Sequence, residues 1–391
     1  MYTTTFILTI LTTASTFLFL FPRFAKFNLY LYSIFYISAV LSRPYEILGI
    51  DNGNLSLYLT DKSLWGLGEV VKYTFIYYLT LPFKTYETKF FIIILISLLS
   101  TFIALRRLIL FLRNSKSYRR NWNKYTFLIL FLVPCITSTL YMIHLRQFFS
   151  FSIVLLINSF LINQSKNNLL IISFLIALIA LIHPIYLIYL LTIIPFYLDY
   201  YPIIRQLNQF LNYIYSFFVK YRKLFFLPII GTLILFGYRI YLFSLNQLPV
   251  FGAYALQMDN FSRSYLSYIP FILILLFQFI TTRHYKSLLT NDLAPKVSNF
   301  SIRSINKYNY ILTAVVLIIF STEYLAPSIY SIGRIKSAFY PNFLLSIFML
   351  VYLRSKSNLF LITSTIIMSF GLGLLYSLYQ RLSFFQDGRI F

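Results

Sequence analysis

Four short stretches carry most of the side chains that could do chemistry in this chain. His144-Leu145-Arg146-Gln147 sets an imidazole, a guanidinium and an amide at the entrance of an apolar run. A fixed cation at a helix start, beside outward-pointing backbone N–H groups, suits an anion. The same arginine also suits a plainer role, as an anchor snorkelling to an interface. His183 ends an otherwise apolar stretch and precedes Pro184. Histidine is the side chain best matched to proton transfer near neutral pH, and a hydrogen-bonded histidine would also serve to fix a turn. Asp51 and Glu69 are carboxylates in a long polar-apolar segment, where most such groups are solvated. Arg334 and Lys336 follow a late apolar run and read as loop charges or as further cations for an anion.

Common alternatives are missing. No Walker motif or glycine-rich dinucleotide fingerprint occurs, and no Asp-x-Asp pair that would hold a metal and a nucleotide sugar. His144, His183 and His284 are far apart, with no metal-ligand spacing. Cys135 is the single cysteine, so no disulfide or cysteine metal site forms within one chain. The expectation is chemistry without metal or cofactor.

The elements that must position these residues are apolar helices. Of 391 residues 59% are hydrophobic and 11% charged, against about a quarter charged in soluble domains. The net charge of +23 sits in the gaps between apolar runs, which favours loops held against anionic lipid headgroups over a nucleic-acid partner. Spans are expected near 2–21, 27–42, 90–112, 125–142, 147–163, 169–183, 185–198, 224–245, 265–282, 310–326, 339–353 and 358–379. The N-terminal run lacks a preceding Lys or Arg and a small-residue cleavage site, so it reads as a first span and not as a signal peptide.

Loops 22–26, 106–124, 164–168, 199–223, 283–309 and 354–357 hold 21 of the 33 Lys and Arg. They hold two of the ten acidic groups, Asp199 and Asp292, and are expected in the cytoplasm. The run 169–198 keeps that alternation only if it breaks at His183–Pro184, because one helix of that length would measure about 45 Å. Segment 43–89 is then the largest outer loop. Its stretch Val70–Phe83 is apolar but too short for a span, and is expected as an amphipathic or re-entrant helix. The fold class is all-α: a single polytopic membrane domain, 1–391, of about 12 helices.

With these residues in order, the chain resembles the EpsG-type, Wzy-like family of exopolysaccharide and O-antigen polymerases. The family's arginine, Gly-x-Asp and tyrosine after the second span are similar to Arg43, Gly49-Ile50-Asp51 and Tyr58. Its Asn-x-x-Arg-Gln at the opening of a span is similar to His144-Leu145-Arg146-Gln147, with histidine in place of asparagine. Its apolar run ending in histidine is similar to Leu181-Ile182-His183. Arg334-Ile335 with Phe339-Tyr340, and Glu69 with Tyr73, match more loosely. The motifs are short; their order along most of the chain carries the likeness.

The resemblance implies a GT-C-like bundle with an outward-facing cavity in a bacterial inner membrane. It implies a polymerase that joins undecaprenyl-diphosphate-linked repeat units on the outer face, with flippase and chain-length regulator proteins as partners. Arg146, Gln147, Arg334, Arg43, His144 and Tyr58 would hold diphosphate or glycan. His183 would be the base for the attacking hydroxyl, with Asp51 or Glu69 as second choices. Two other readings stand beside it. One is a polyprenyl-phosphate-sugar-dependent glycosyltransferase, in which Asp51 would act as base. The other is a lipid-linked glycan transporter or flippase, which would place ionisable groups near the bilayer midplane.

Overall fold

The computed structural model describes residues 2–42, 55, 58–64, 67–114, 122–162, 166–183 and 186, then 216, 341, 344, 364–365, 367–376 and 378–379. The chain divides into two compact units, Met1–Leu187 with Tyr340–Phe391, and Ile188–Phe339. All described residues except Ser216 belong to the first unit. Nearly all of them are helical, with no strand among them. Asp51, Arg43 and Arg334 lie outside the described residues, as do the spans expected at 185–198, 224–245, 265–282 and 310–326 apart from Tyr186.

Among the described residues of the first half, seven α-helices have defined bounds: α1 Tyr2–Ser15, α2 Ala25–Leu41, α3 Leu67–Thr80, α4 Tyr86–Asn114, α5 Trp122–Ile143, α6 Leu145–Ile162 and α7 Lys166–Ile182. Two stretches, Thr3–Leu20 and Tyr86–Phe111, are long and apolar enough to cross a membrane; Thr126–Met142, Leu145–Leu161, Leu170–Ile182 and Ile367–Tyr376 are shorter apolar helices.

Local chemistry explains the boundaries. The first apolar run is α-helical only to Ser15 and continues as a 3-10 helix over Thr16–Leu20, so the expected single helix over 2–21 changes type part-way. Thr9, Thr12 and Thr13 each return their hydroxyl to the carbonyl four residues back. Ser15 and Thr16, where the helix type changes, return theirs to the carbonyl three residues back. The third expected span begins at Tyr86, not Phe90, because Thr85 caps it: its Oγ1 accepts the Thr88 N–H at 3.3 Å. The stretch expected as a short helix over Val70–Phe83 forms α3, three residues earlier at each end. At 14 residues it is about 21 Å long, below the thickness of a hydrocarbon core.

Hydroxyl side chains pair with one another inside an otherwise apolar core, and a further set of large apolar side chains faces outward. Thr9 hydrogen-bonds Tyr141. Tyr36 Oη pairs with Thr137 Oγ1 at 3.0 Å, and Thr101 donates to Ser152 Oγ at 3.0 Å. On the outer faces, Phe27 (60%), Tyr30 (73%), Phe174 (66%) and Leu170 (79%) are exposed. Water disfavours so much exposed apolar surface. A lipid surround favours it, since apolar surface then costs nothing outside and hydroxyls hold helix to helix.

The contact register sets helix directions. Thr9 meets Tyr141, Thr13 meets Cys135, and Phe17 meets Phe131 and Phe127, so α1 and α5 run antiparallel. The Thr5 hydroxyl donates to Ser42 O at 2.8 Å, closing α1 and α2 as an antiparallel pair. Thr101 meets Ser152 while Arg107 lies over Phe160, so α4 and α6 run parallel. One end of the bundle therefore gathers the start of α1, the ends of α2, α5 and α7, and the starts of α4 and α6. Arg23, Lys26, Arg106, Arg107 and Lys124 belong to the opposite helix ends.

Candidate functional site

His144 is the whole connection between α5 and α6. Its N–H donates to Leu140 O at 2.9 Å to close one helix, and its carbonyl accepts from Phe148 at 3.0 Å to open the next. Arg146 and Gln147 therefore stand in the first turn of α6, where backbone N–H groups have no intrahelical acceptor. Both side chains are buried, Arg146 at 7% exposure, while His144 is half-buried.

The Arg146 guanidinium stacks on Tyr73 of α3, with Cζ 4.6 Å from the ring centre. Its Nε is buried and has no hydrogen-bond partner. Tyr73 in turn stacks on Tyr58, the ring centres 4.7 Å apart and tilted by 34°. A cation over an aromatic face gains roughly 2 kcal/mol or more where water is excluded, less than its full desolvation cost.

His183 follows the last residue of α7. Its N–H bonds Ile179 O at 2.9 Å, so the histidine still belongs to the helix's final turn. The chain then turns, with the Tyr186 N–H returning to His183 O at 2.9 Å. That turn brings the Tyr186 ring edge-on to the imidazole, 5.4 Å between centres. Tyr186 Oη donates to the main-chain oxygen of Gln147 at 3.3 Å. Tyr186 is thus the link between the His183 turn and the Arg146-Gln147 turn.

Four of the residues expected to act together, Tyr58, Arg146, Gln147 and His183, are joined through two tyrosines at one end of the bundle. Glu69 lies in the first turn of α3, one turn before Tyr73. Tyr186 was not foreseen from sequence, because a tyrosine three residues past a histidine carries no signal until the fold brings it back. Among the described residues no group of three or more His, Cys, Asp or Glu could hold a metal ion.

Asp61 shows how the segment before α3 is ordered. Its Oδ1 accepts the Ser63 N–H at 2.8 Å and starts the 3-10 turn Lys62–Leu64. Hydrogen bonds from the Ser63 side chain and then its backbone hold this carboxyl below its usual range.

No family model matches this sequence, and no curated protein or solved structure is similar to it.

Proposed function

We propose that this chain is a polytopic protein of a bacterial inner membrane, of about 12 spans, that polymerises lipid-linked oligosaccharide repeat units on the outer face. The observation that carries this reading is Arg146: a buried guanidinium at a helix start, stacked on Tyr73, its Nε without a hydrogen-bond acceptor. A buried cation is stable only with compensating charge, and a diphosphate entering that turn would supply oxygens to Nε and to the first N–H groups of α6. The basic helix ends opposite this site would face the cytoplasm, so the site itself would face outward.

The reaction needs three functions. The diphosphate leaving group is held by Arg146, whose planar fork suits two phosphate oxygens. The acceptor sugar hydroxyl attacks the anomeric carbon; its new C–O bond forms as the bond to undecaprenyl diphosphate breaks. His183, one tyrosine away from the Arg146 turn, takes the hydroxyl proton. The core of α1, α2 and α5 is lined by hydroxyls and carries no Asp, Glu, Lys or Arg between the helix ends. That favours transfer at the rim over an ion-coupled transporter, which relies on charge at mid-depth.

The test is the glycan made by cells carrying variants at normal protein level, separated by size. Arg146→Lys keeps the charge but loses the fork and should make little polymer. His183→Ala should accumulate single repeat units, with the rate down by about 10²–10⁴. Normal polymer from both Arg146→Ala and His183→Ala would overturn this reading. Normal polymer from His183→Ala together with loss in Asp51→Asn would move the base to the carboxylate of a single-sugar glycosyltransferase.

A further inference from the structure

Tyr186 touches both halves of the site with different parts of one side chain. Its hydroxyl donates to the main-chain oxygen of Gln147 at 3.3 Å, 39 residues away in sequence. Its ring stands 5.4 Å from the His183 imidazole, with 70° between the two planes. Its backbone N–H is tied to His183 O at 2.9 Å, so the residue is held at backbone, ring and hydroxyl. Tyr186 is fully buried, and a buried phenol is stable where its hydroxyl finds an acceptor.

The acceptor on Gln147 belongs to the first turn of α6, the turn that carries Arg146 and offers its N–H groups to an anion. That oxygen is part of a helix backbone and is therefore a rigid reference point. The His183 imidazole, at the end of α7, keeps free side-chain torsions unless packing locks them. A general base acts only within hydrogen-bond reach of the proton it takes, and a misplacement of about 1 Å can cost about 10²-fold in rate. Tyr186 supplies that lock, and its hydroxyl refers it to the anion-binding turn.

We propose that Tyr186 is a positioning residue: it fixes the His183 imidazole relative to the α6 turn, so that base and diphosphate site serve one donor–acceptor pair. This deepens the polymerase reading and rests on it for His183 as base and Arg146 as anion site. The tie between the two turns is a separate matter, and the experiment reads it separately.

Tyr186→Phe is the central variant, because it keeps the buried ring and removes only the hydroxyl. In cells at normal protein level it should make polymer about threefold to tenfold more slowly, the weight of one hydrogen bond. Its binding of farnesyl diphosphate, titrated on full-length protein in nanodiscs by native mass spectrometry, should stay within about twofold of wild type. A role in packing alone would lower rate and binding together. Added to His183→Ala, Tyr186→Phe should cost nothing further, since it acts through the imidazole. Diethyl pyrocarbonate labelling, read by peptide mass spectrometry, reports the tie without any reaction: in Tyr186→Phe, His183 should label faster while His144 does not change. Unchanged His183 labelling, an equal loss of polymer and diphosphate binding, or wild-type polymer from Tyr186→Phe in cells where His183→Ala makes little would each overturn the positioning role. Faster His183 labelling together with full polymer from both Arg146→Ala and His183→Ala would overturn the polymerase reading and leave the tie standing.

Discussion

Gly371 and Gly373 are two residues apart on the apolar helix Ile367–Tyr376, and adding one methyl to each should have opposite effects. A Cβ at Gly371 would lie 2.7 Å from Phe131 Cε1 and 3.1 Å from Cys135 Sγ, both on α5. Phe131 and Cys135 are buried, so neither can swing aside into open space. A Cβ at Gly373 meets nothing within 4 Å. Overpacking a close contact costs about 1–3 kcal/mol, whereas replacing a helical glycine by alanine in open space gains about 0.5–1 kcal/mol. Gly371→Ala is therefore expected to lose about 1–2 kcal/mol net, and Gly373→Ala to gain a fraction of one. The assay is heat-dependent loss of the monodisperse peak in size-exclusion chromatography of detergent-solubilised protein, with both variants run beside the wild type. Phe131→Leu removes the atom that the new methyl meets, so the cost of Gly371→Ala should shrink by about 1 kcal/mol in that background. If Gly371→Ala proves no less stable than Gly373→Ala, this helix does not pack against α5 at Gly371 and the reasoning fails.

Three further outcomes are expected. Thr101→Val and Ser152→Ala should each destabilise slightly and couple by about 0.6 kcal/mol in a double-mutant cycle, the usual value for a hydrogen bond between helices in a bilayer; additive effects would break the α4–α6 register. Asp61 has a depressed pKa, so its support of the Lys62–Leu64 turn is present above its unfolded value near 3.9 and is lost as pH falls through the lower folded value. Hydrogen exchange at Ser63 should therefore accelerate only in strong acid, and an acceleration already complete by pH 5 would contradict the assignment. Cys135 is buried and should leave little background for thiol labelling, so Lys84→Cys should react with an impermeant reagent in intact spheroplasts and Lys124→Cys should not; the reverse pattern would invert the orientation.

Much of the described fold was legible in the residue order. Apolar run lengths located α2 and α4 to α7 to within about four residues, and α1 at its start, because a helix too apolar for water and flanked by Arg, Lys or a proline has few alternatives. The end of α7 at Ile182 was legible for the same kind of reason: Pro184 removes an N–H and disfavours helix in the residue before it. The placement of Arg146 and Gln147 in a helix's first turn followed from the shortness of the stretch between two apolar runs.

Other features were decided only by tertiary structure. The first run's change from α-helix to 3-10 helix after Ser15 had no signal in its hydropathy, which is the same for both pitches. The site's connections came from long-range contacts: Tyr73 under Arg146, and Tyr186 between His183 and Gln147. Helical periodicity tells which residues of α3 share a face, but not which neighbour that face meets. Hydropathy and charge act through the surrounding solvent and can be summed along a chain, so the sequence by itself determined the helices and the expected alternation of their ends. A buried cation's partner depends on which surfaces close around it, and only the packing of α3 against α6 and α7 decided that.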